Sequence, residues 1–233
     1  MNAIKTINIS PEEMTASFTK ILLSFDFSTE DAKQCAEIFT QNSLDGVYSH
    51  GVNRFPRFVD YLKKGLVLPK NKPSLKNKIG QIEQWEGALA PGPLNAVFAT
   101  DRALELAKES GIGCVALSNT NHWMRGGYYG WHAAKKGHLF IGWTNTTAIM
   151  PAWGAANAKL GNNPLVIAVP YHNEAIVLDM SMSQFSYGAM ELAELKNEKL
   201  AVTGGYDKDG NLTNDPSSIL QSMRTLPIGF WKG

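Results

Sequence analysis

Cysteine is scarce: Cys35 and Cys114 are the only two in 233 residues. Two thiols far apart, each inside an apolar pattern, do not make the disulfide framework of a small secreted domain. They read as buried free thiols of a reducing compartment, so the cytoplasm is the expected location. Long apolar runs are lacking as well. No stretch approaches the ~18 apolar residues of a membrane span, and the start, MNAIKTINIS, has no signal-peptide core. Neither sign of charge is in excess, since 22 basic and 21 acidic residues leave a net +1. Gripping a phosphate backbone takes a cationic surplus, so nucleic acid is set aside as a partner, as is a membrane.

Familiar cofactor and nucleophile motifs are missing too. The nearest approach to a dinucleotide fingerprint is Gly111-Ile112-Gly113 with Ala116, and it follows a helix and enters a strand. The fingerprint needs the reverse order, so that amides at a helix start face the pyrophosphate. Those glycines read as a helix stop. There is no G-x-x-x-x-G-K-[ST] loop and no C-x-x-C pair, and the histidines lack zinc-ligand spacing, so no metal is expected. No serine or cysteine stands in a nucleophile elbow, which weakens a hydrolase reading with His50 or His122 as general base.

What is present is a clear alternation of structural signals. Ser10-Pro11-Glu12-Glu13 is a capping box with proline at the first helical position, followed by Met14, Phe18, Ile21, Leu22 and Phe25 at helical spacing. Ser28-Thr29-Glu30-Asp31 opens a second helix that would bury Ala32, Cys35, Ala36 and Phe39. A loop from Gly46 to Gly51 enters a third helix, starting near Val52, with Phe55, Phe58, Val59 and Leu62 inward and Gly65 as its stop. After a linker, a strand is expected near Ile79 to Trp85 and a helix from Leu94 to Lys108. Strands then follow at Cys114–Leu117, Leu139–Thr144, Leu165–Val169 and Ala175–Asp179, with a helix from Gly130 to Gly137. Mixed α/β is the predicted class, with an N-terminal helical unit over residues 1–75 and a mixed α/β region over 76–233.

Two segments carry candidate chemistry. His50 stands in a glycine-flanked loop with Arg54 four residues on. An imidazole titrating near neutrality can hand a proton to a reduced carbonyl, and arginine can grip a carboxylate through two parallel hydrogen bonds. A loop histidine capping a carbonyl, with Arg54 in a surface ion pair, fits the spacing equally. The second segment, Asn121-His122-Trp123-Met124-Arg125-Gly126-Gly127, follows a strand end, where α/β proteins place sites. There His122 can polarise a carbonyl and Asn121 or Arg125 can orient a substrate; an ordinary glycine-rich loop is the alternative. Asp179-Met180-Ser181 ends an apolar strand and suits either a pocket wall or plain burial.

Read together, these stretches resemble the type-2 malate/L-lactate dehydrogenases, a family whose nucleotide-binding fold is mixed-sheet and non-Rossmann. The resembling runs are Gly46 to Phe58, Asn121 to Gly127, Gly161-Asn162-Asn163-Pro164-Leu165, Asp179 to Ser183 and Gly229-Phe230-Trp231-Lys232-Gly233. The resemblance implies an oxidoreductase using NADH or NADPH on a 2-oxo carboxylate: a diketo sugar acid first, with malate, L-lactate or ureidoglycolate as alternatives. It implies His50 as proton donor, His122 as a second polar group at the carbonyl, and Arg54 as carboxylate anchor beside Asn121 and Arg125. Cofactor contacts would fall on Ala175, Ile176, Val177, Leu178, Asp179, Met180 and Ser181, then on Trp231 and Lys232. Cytoplasmic homodimers are implied as well. Family members run on for roughly a further hundred residues, so a truncated form is expected, and a non-catalytic remnant is the rival reading.

Overall fold

Helix α1 (Pro11–Leu23) begins where the capping box places it. Ser10 Oγ accepts the Glu13 amide at 3.1 Å, and Glu13 Oε2 accepts the Ser10 amide at 2.9 Å. These two bonds satisfy donors that a helix start otherwise leaves orphaned. Helix α2 (Thr29–Leu44) is capped by Ser28, whose Oγ accepts the Asp31 amide at 3.1 Å and donates to the Asp31 carboxylate at 2.8 Å. The computed structural model describes residues 7–152, 155 and 157–229. These divide into two compact units, one ending at Tyr129 and one beginning at Gly130.

In the first unit the apolar stripes of α1 and α2 close on helix α3 (Phe55–Lys63) around an aromatic cluster. Phe39 meets Phe18 and Phe55 edge-on, while Phe18 and Phe55 stack at 3.8 Å. Burying such a side chain stabilises by about 2 kcal/mol. The third helix starts three residues later than expected, because Tyr48–His50 first forms a single 3₁₀ turn. Gly65, at φ 67, ends it as predicted.

The strand expected near Ile79 to Trp85 is instead a hairpin. Strands β1 (Ser74–Ile79) and β2 (Ile82–Glu86) pair antiparallel across Gly80, whose φ of 58 admits the tight reversal. Helix α4 (Gly92–Ser110) then returns the chain to β3 (Cys114–Ser118), which lies parallel to β2. Gly111 stops α4 in the left-handed region, as the glycine pair predicts. Cys35 is buried, but Cys114 is exposed, contrary to expectation. It opens the edge strand β3, where Val115 and Leu117 take the more covered positions and the alternation puts Cys114 on the other face.

Helix α5 (Gly126–Ala134) starts four residues before the expected position. Glycine is a poor helix former, at about 1 kcal/mol per residue relative to alanine. Burial of Tyr129, whose hydroxyl donates to the Trp123 carbonyl, offsets that cost.

The second unit holds an antiparallel sheet in the order β4 (Phe140–Trp143), β7 (Leu165–Tyr171), β8 (Glu174–Met180). One face is covered at Gly130, where an added Cβ would come within 3.3 Å of Val166, Ala168 and Val177. On the opposite face Ile141, Trp143, Ile176 and Leu178 are exposed. A small hairpin, β5 (Ala148–Pro151) with β6 (Ala158–Gly161), lies between β4 and β7 in the chain. Helix α6 (Tyr187–Leu195), hairpin β9 (Gly205–Tyr206) with β10 (Leu212–Thr213), and helix α7 (Pro216–Ser222) close the unit around Met190, Leu200 and Ile219. The class is mixed α/β with small sheets, as the sequence predicts; only β1-β2-β3 is mixed, and the described residues form neither a barrel nor a doubly wound sheet.

Candidate active site

The C-terminal end of α2 builds the first part of the site. Asn42 is buried, and its Nδ2 donates to the His50 carbonyl at 3.1 Å. One residue on, Ser43 Oγ accepts the Val52 amide at 2.9 Å. Gly51 passes so close that a Cβ there would lie 2.3 Å from Ser43 Oγ, so only glycine lets the turn seat on the helix. Before the histidine, the Val47 amide donates to the Asn42 carbonyl at 2.9 Å, so the turn carrying His50 is bonded to α2 on both sides of it.

Within the turn, Ser49 Oγ lies 2.9 Å from His50 Nδ1, and the Ser49 carbonyl accepts Arg54 Nε at 3.2 Å. Fixing Nε fixes the plane of the guanidinium. Arg125 forms an ion pair with Asp45, the residue that caps α2, so the loop carrying His122 is joined to the same helix end.

His122 is held differently. Its Nδ1 accepts the backbone amide of Met124 at 2.9 Å. An acceptor nitrogen carries no proton, so the ring is set as the neutral tautomer with its hydrogen on Nε2. The His50 and His122 rings lie 5.6 Å apart between centroids, tilted by 34°.

Both rings sit in a cationic, crowded environment. Burial first, then Arg54 and Arg125, lowers the His50 pKa to about 4. Burial, then His50, Arg54 and Arg57, lowers that of His122 to about 3, although the residue as a whole is exposed. The expectation of an imidazole titrating near neutrality does not hold here: both rings are neutral at pH 7.

The sequence-predicted residues are thus partly gathered. His50, Arg54, His122 and Arg125 share one cluster in the first unit. Asn121 sits beside it, but its Nδ2 donates to the carbonyls of Leu66, Leu89 and Ala90. That commits its amide nitrogen to holding a loop, so any substrate contact falls to its oxygen. Asn42, Ser43, Ser49 and Arg57 were missed. Asn42 and Ser43 occupy inward positions of the α2 stripe, and a polar side chain at such a position is the signal that would have found them.

The expected cofactor residues lie in the second unit. Ala175 to Met180 lie on β8, which is an edge strand among the described residues. Successive side chains of a strand point to opposite faces, so an unbroken run of contacts has to come through the backbone edge. An edge strand offers that row of N–H and C=O groups. Beyond it, Met182 donates its amide to the Asn162 carbonyl, which joins two of the resembling runs, and its own carbonyl accepts the amide of Ile228. Ser181 and Ser183 are hydrogen-bonded to each other, and the buried Gln184 Oε1 has no protein partner. An open strand edge, small hydroxyls and an orphaned acceptor fit the carboxamide, ribose and phosphate of a nicotinamide nucleotide. Trp231 and Lys232 lie outside the described residues.

Residues 9–233 match the model of the malate/L-lactate dehydrogenase family. The chain belongs to that family. It is 48% identical over 227 residues to a 2,3-diketo-L-gulonate reductase of Escherichia coli, covering 97% of this chain and 68% of that protein. Among solved structures, malate dehydrogenase from Entamoeba histolytica superposes with a TM-score of 0.92 at 26% identity, covering 97% of this chain and 64% of the other. Sulfolactate dehydrogenase from Methanocaldococcus jannaschii gives 0.86 at 32% identity, covering 97% and 65%. The chain thus spans about two thirds of the length of the family members it matches.

Proposed function

We propose that the chain carries the substrate-reducing centre of an NADH- or NADPH-dependent 2-oxo carboxylate reductase, with 2,3-diketo-L-gulonate as the first substrate to test. Malate, L-lactate and ureidoglycolate dehydrogenase chemistry are the alternatives within the family. One observation carries the reading: two imidazoles stand together beside Arg54, one locked by Met124 as a neutral donor, the other held through a hydroxyl that can reverse its role.

A bound nicotinamide nucleotide supplies the hydride to the carbonyl carbon. The chain's own residues deal with the oxygen and the carboxylate. The substrate carboxylate pairs with Arg54, whose plane Ser49 sets, and Arg125 adds positive charge at the same place. His122, with its proton on Nε2, donates a hydrogen bond to the carbonyl oxygen and steadies negative charge that develops there. His50, charged as imidazolium, gives its Nε2 proton to that oxygen as it becomes an alkoxide. Its lowered pKa makes the imidazolium a stronger acid than a solvated histidine. The substrate's own negative charge offsets Arg54 and Arg125 and so favours uptake of the proton that is then transferred.

Residues 1–75 supply His50 and Arg54, with His122 and Arg125 following in the same compact unit; within the 76–233 region, nucleotide contacts are assigned to Ala175 to Ser181, Trp231 and Lys232. No described helix is long and apolar enough to cross a membrane. We place the enzyme in the cytoplasm as a homodimer, on the two free thiols and the family resemblance. The test is a steady-state assay with NADH and NADPH against a panel of 2-oxo acids. Turnover of at least one is expected, and a lack of nicotinamide-linked turnover with every acid overturns the reading.

A further inference from the structure

A proton donor that works once per turnover has to keep its ring in place while it loses and regains charge. The structure gives His50 a partner suited to that. Ser49 Oγ lies 2.9 Å from Nδ1, and a hydroxyl both donates and accepts. With Nδ1 protonated, the oxygen accepts; with Nδ1 bare, the hydroxyl rotates and donates. We propose that Ser49 is the positioning residue of the proton donor, keeping one hydrogen bond to Nδ1 through every protonation state so that exchange takes place at Nε2. This rests on the reading of His50 as donor.

The surroundings favour a role beyond packing. The His50 carbonyl is held by Asn42, so the backbone is fixed and only rotation about the side chain is left to control. A carboxylate in place of the hydroxyl would only accept, would pair with the imidazolium, and would make it a weaker acid. The neighbouring His122 shows the contrast, since a backbone amide can donate but never accept, and its ring is held in a single tautomer. Ser49 also orients Arg54, but through its carbonyl, which a side-chain substitution leaves in place.

The test uses Ser49→Thr and Ser49→Val, two side chains of nearly the same shape that differ in the hydroxyl. In the whole chain labelled with ¹⁵N-histidine, ring-nitrogen shifts report the tautomer and titration of each imidazole. Ser49→Thr should keep the wild-type His50 pattern, whereas Ser49→Val should change its tautomer ratio and move its midpoint by about half a pH unit or more. His122 should be unaffected in both. In the reductase assay, Ser49→Val should lose about tenfold in kcat with KM changed less than twofold, and Ser49→Thr should stay within about twofold of wild type. Thr and Val variants that behave alike in the spectra overturn the proposal. So do spectra that differ while kcat and its pH profile do not. A wild-type protein that reduces no 2-oxo acid sinks the reductase reading instead, and the spectra then still decide whether Ser49 sets the His50 ring.

Discussion

His50 and His122 face each other at 5.6 Å, and their Nδ1 atoms are held by opposite kinds of partner, a hydroxyl for one and a backbone amide for the other. The two rings are therefore not interchangeable. His122 can act only as a neutral donor, so its loss should remove stabilisation of the oxygen without removing the proton source. His122→Phe is expected to lower kcat by about 10²-fold, in line with losing one preorganised donor, while the pH dependence of kcat keeps its wild-type form. A pH–rate profile that flattens in this variant would assign the proton transfer to His122 instead.

Neutral His50 has to gain a proton before it can give one. At pH 7 its pKa of about 4 leaves it uncharged in the free chain, through burial first and then the charges of Arg54 and Arg125. A substrate carboxylate offsets those charges, so binding should be accompanied by proton uptake. Titration calorimetry of a non-reducible 2-hydroxy acid, repeated in buffers of different ionisation enthalpy, should show net uptake at pH 6 to 7. Binding heats that do not depend on the buffer would contradict this.

Stability follows the same group with a definite sign. Folding lowers the His50 pKa from 6.5 to about 4, so between those values the unfolded chain binds a proton that the folded chain refuses. Its contribution is complete above pH 6.5 and is lost as pH falls towards 4. The melting temperature should drop by about 3 °C or more over that window, the shift expected per kcal/mol for a chain of this size. His50→Asn should lessen the drop and leave the part due to His122, whose pKa folding lowers in the same direction, as thermal melts at stepped pH will read.

Glu83 makes a separate, structural prediction. It is 1% exposed on β2, and its carboxylate takes Arg102 through Nε and Nη2 at 2.8 and 2.7 Å, with Lys78 at 3.1 Å and the Trp85 ring nitrogen at 3.0 Å. The Arg102 hydrogen bonds hold its pKa down, at about 2. A single layer of these partners covers it, so removing the charge should cost less than breaking a deep ion pair, about 2 kcal/mol. Glu83→Gln should show that loss in urea melts with kcat unchanged, since the residue joins β2 to α4 and touches neither histidine.

Much of this architecture is legible in the residues. Ser10 and Ser28 state the helix starts, Gly65 and Gly111 the stops, and alternation marks β7 and β8. Local signals failed where long-range burial decides. Tyr129 draws two glycines into α5, and Cys114 follows the alternation of an edge strand that its own neighbours do not announce. In the site, His50, Arg54, His122 and Arg125 were readable as chemistry. Their arrangement was not, because Asn42 and Ser43 act from a helix where they look like interruptions of an apolar stripe. Asn121 shows the converse: a polar residue in a promising loop whose amide nitrogen the fold uses for its own backbone.

Proton donation by His50 is tested most directly by kcat for 2-oxo acid reduction in His50→Ala. A fall of about 10²–10⁴-fold, with circular dichroism and nucleotide affinity retained, is the predicted result. A folded variant that reduces the acid at the wild-type rate contradicts it.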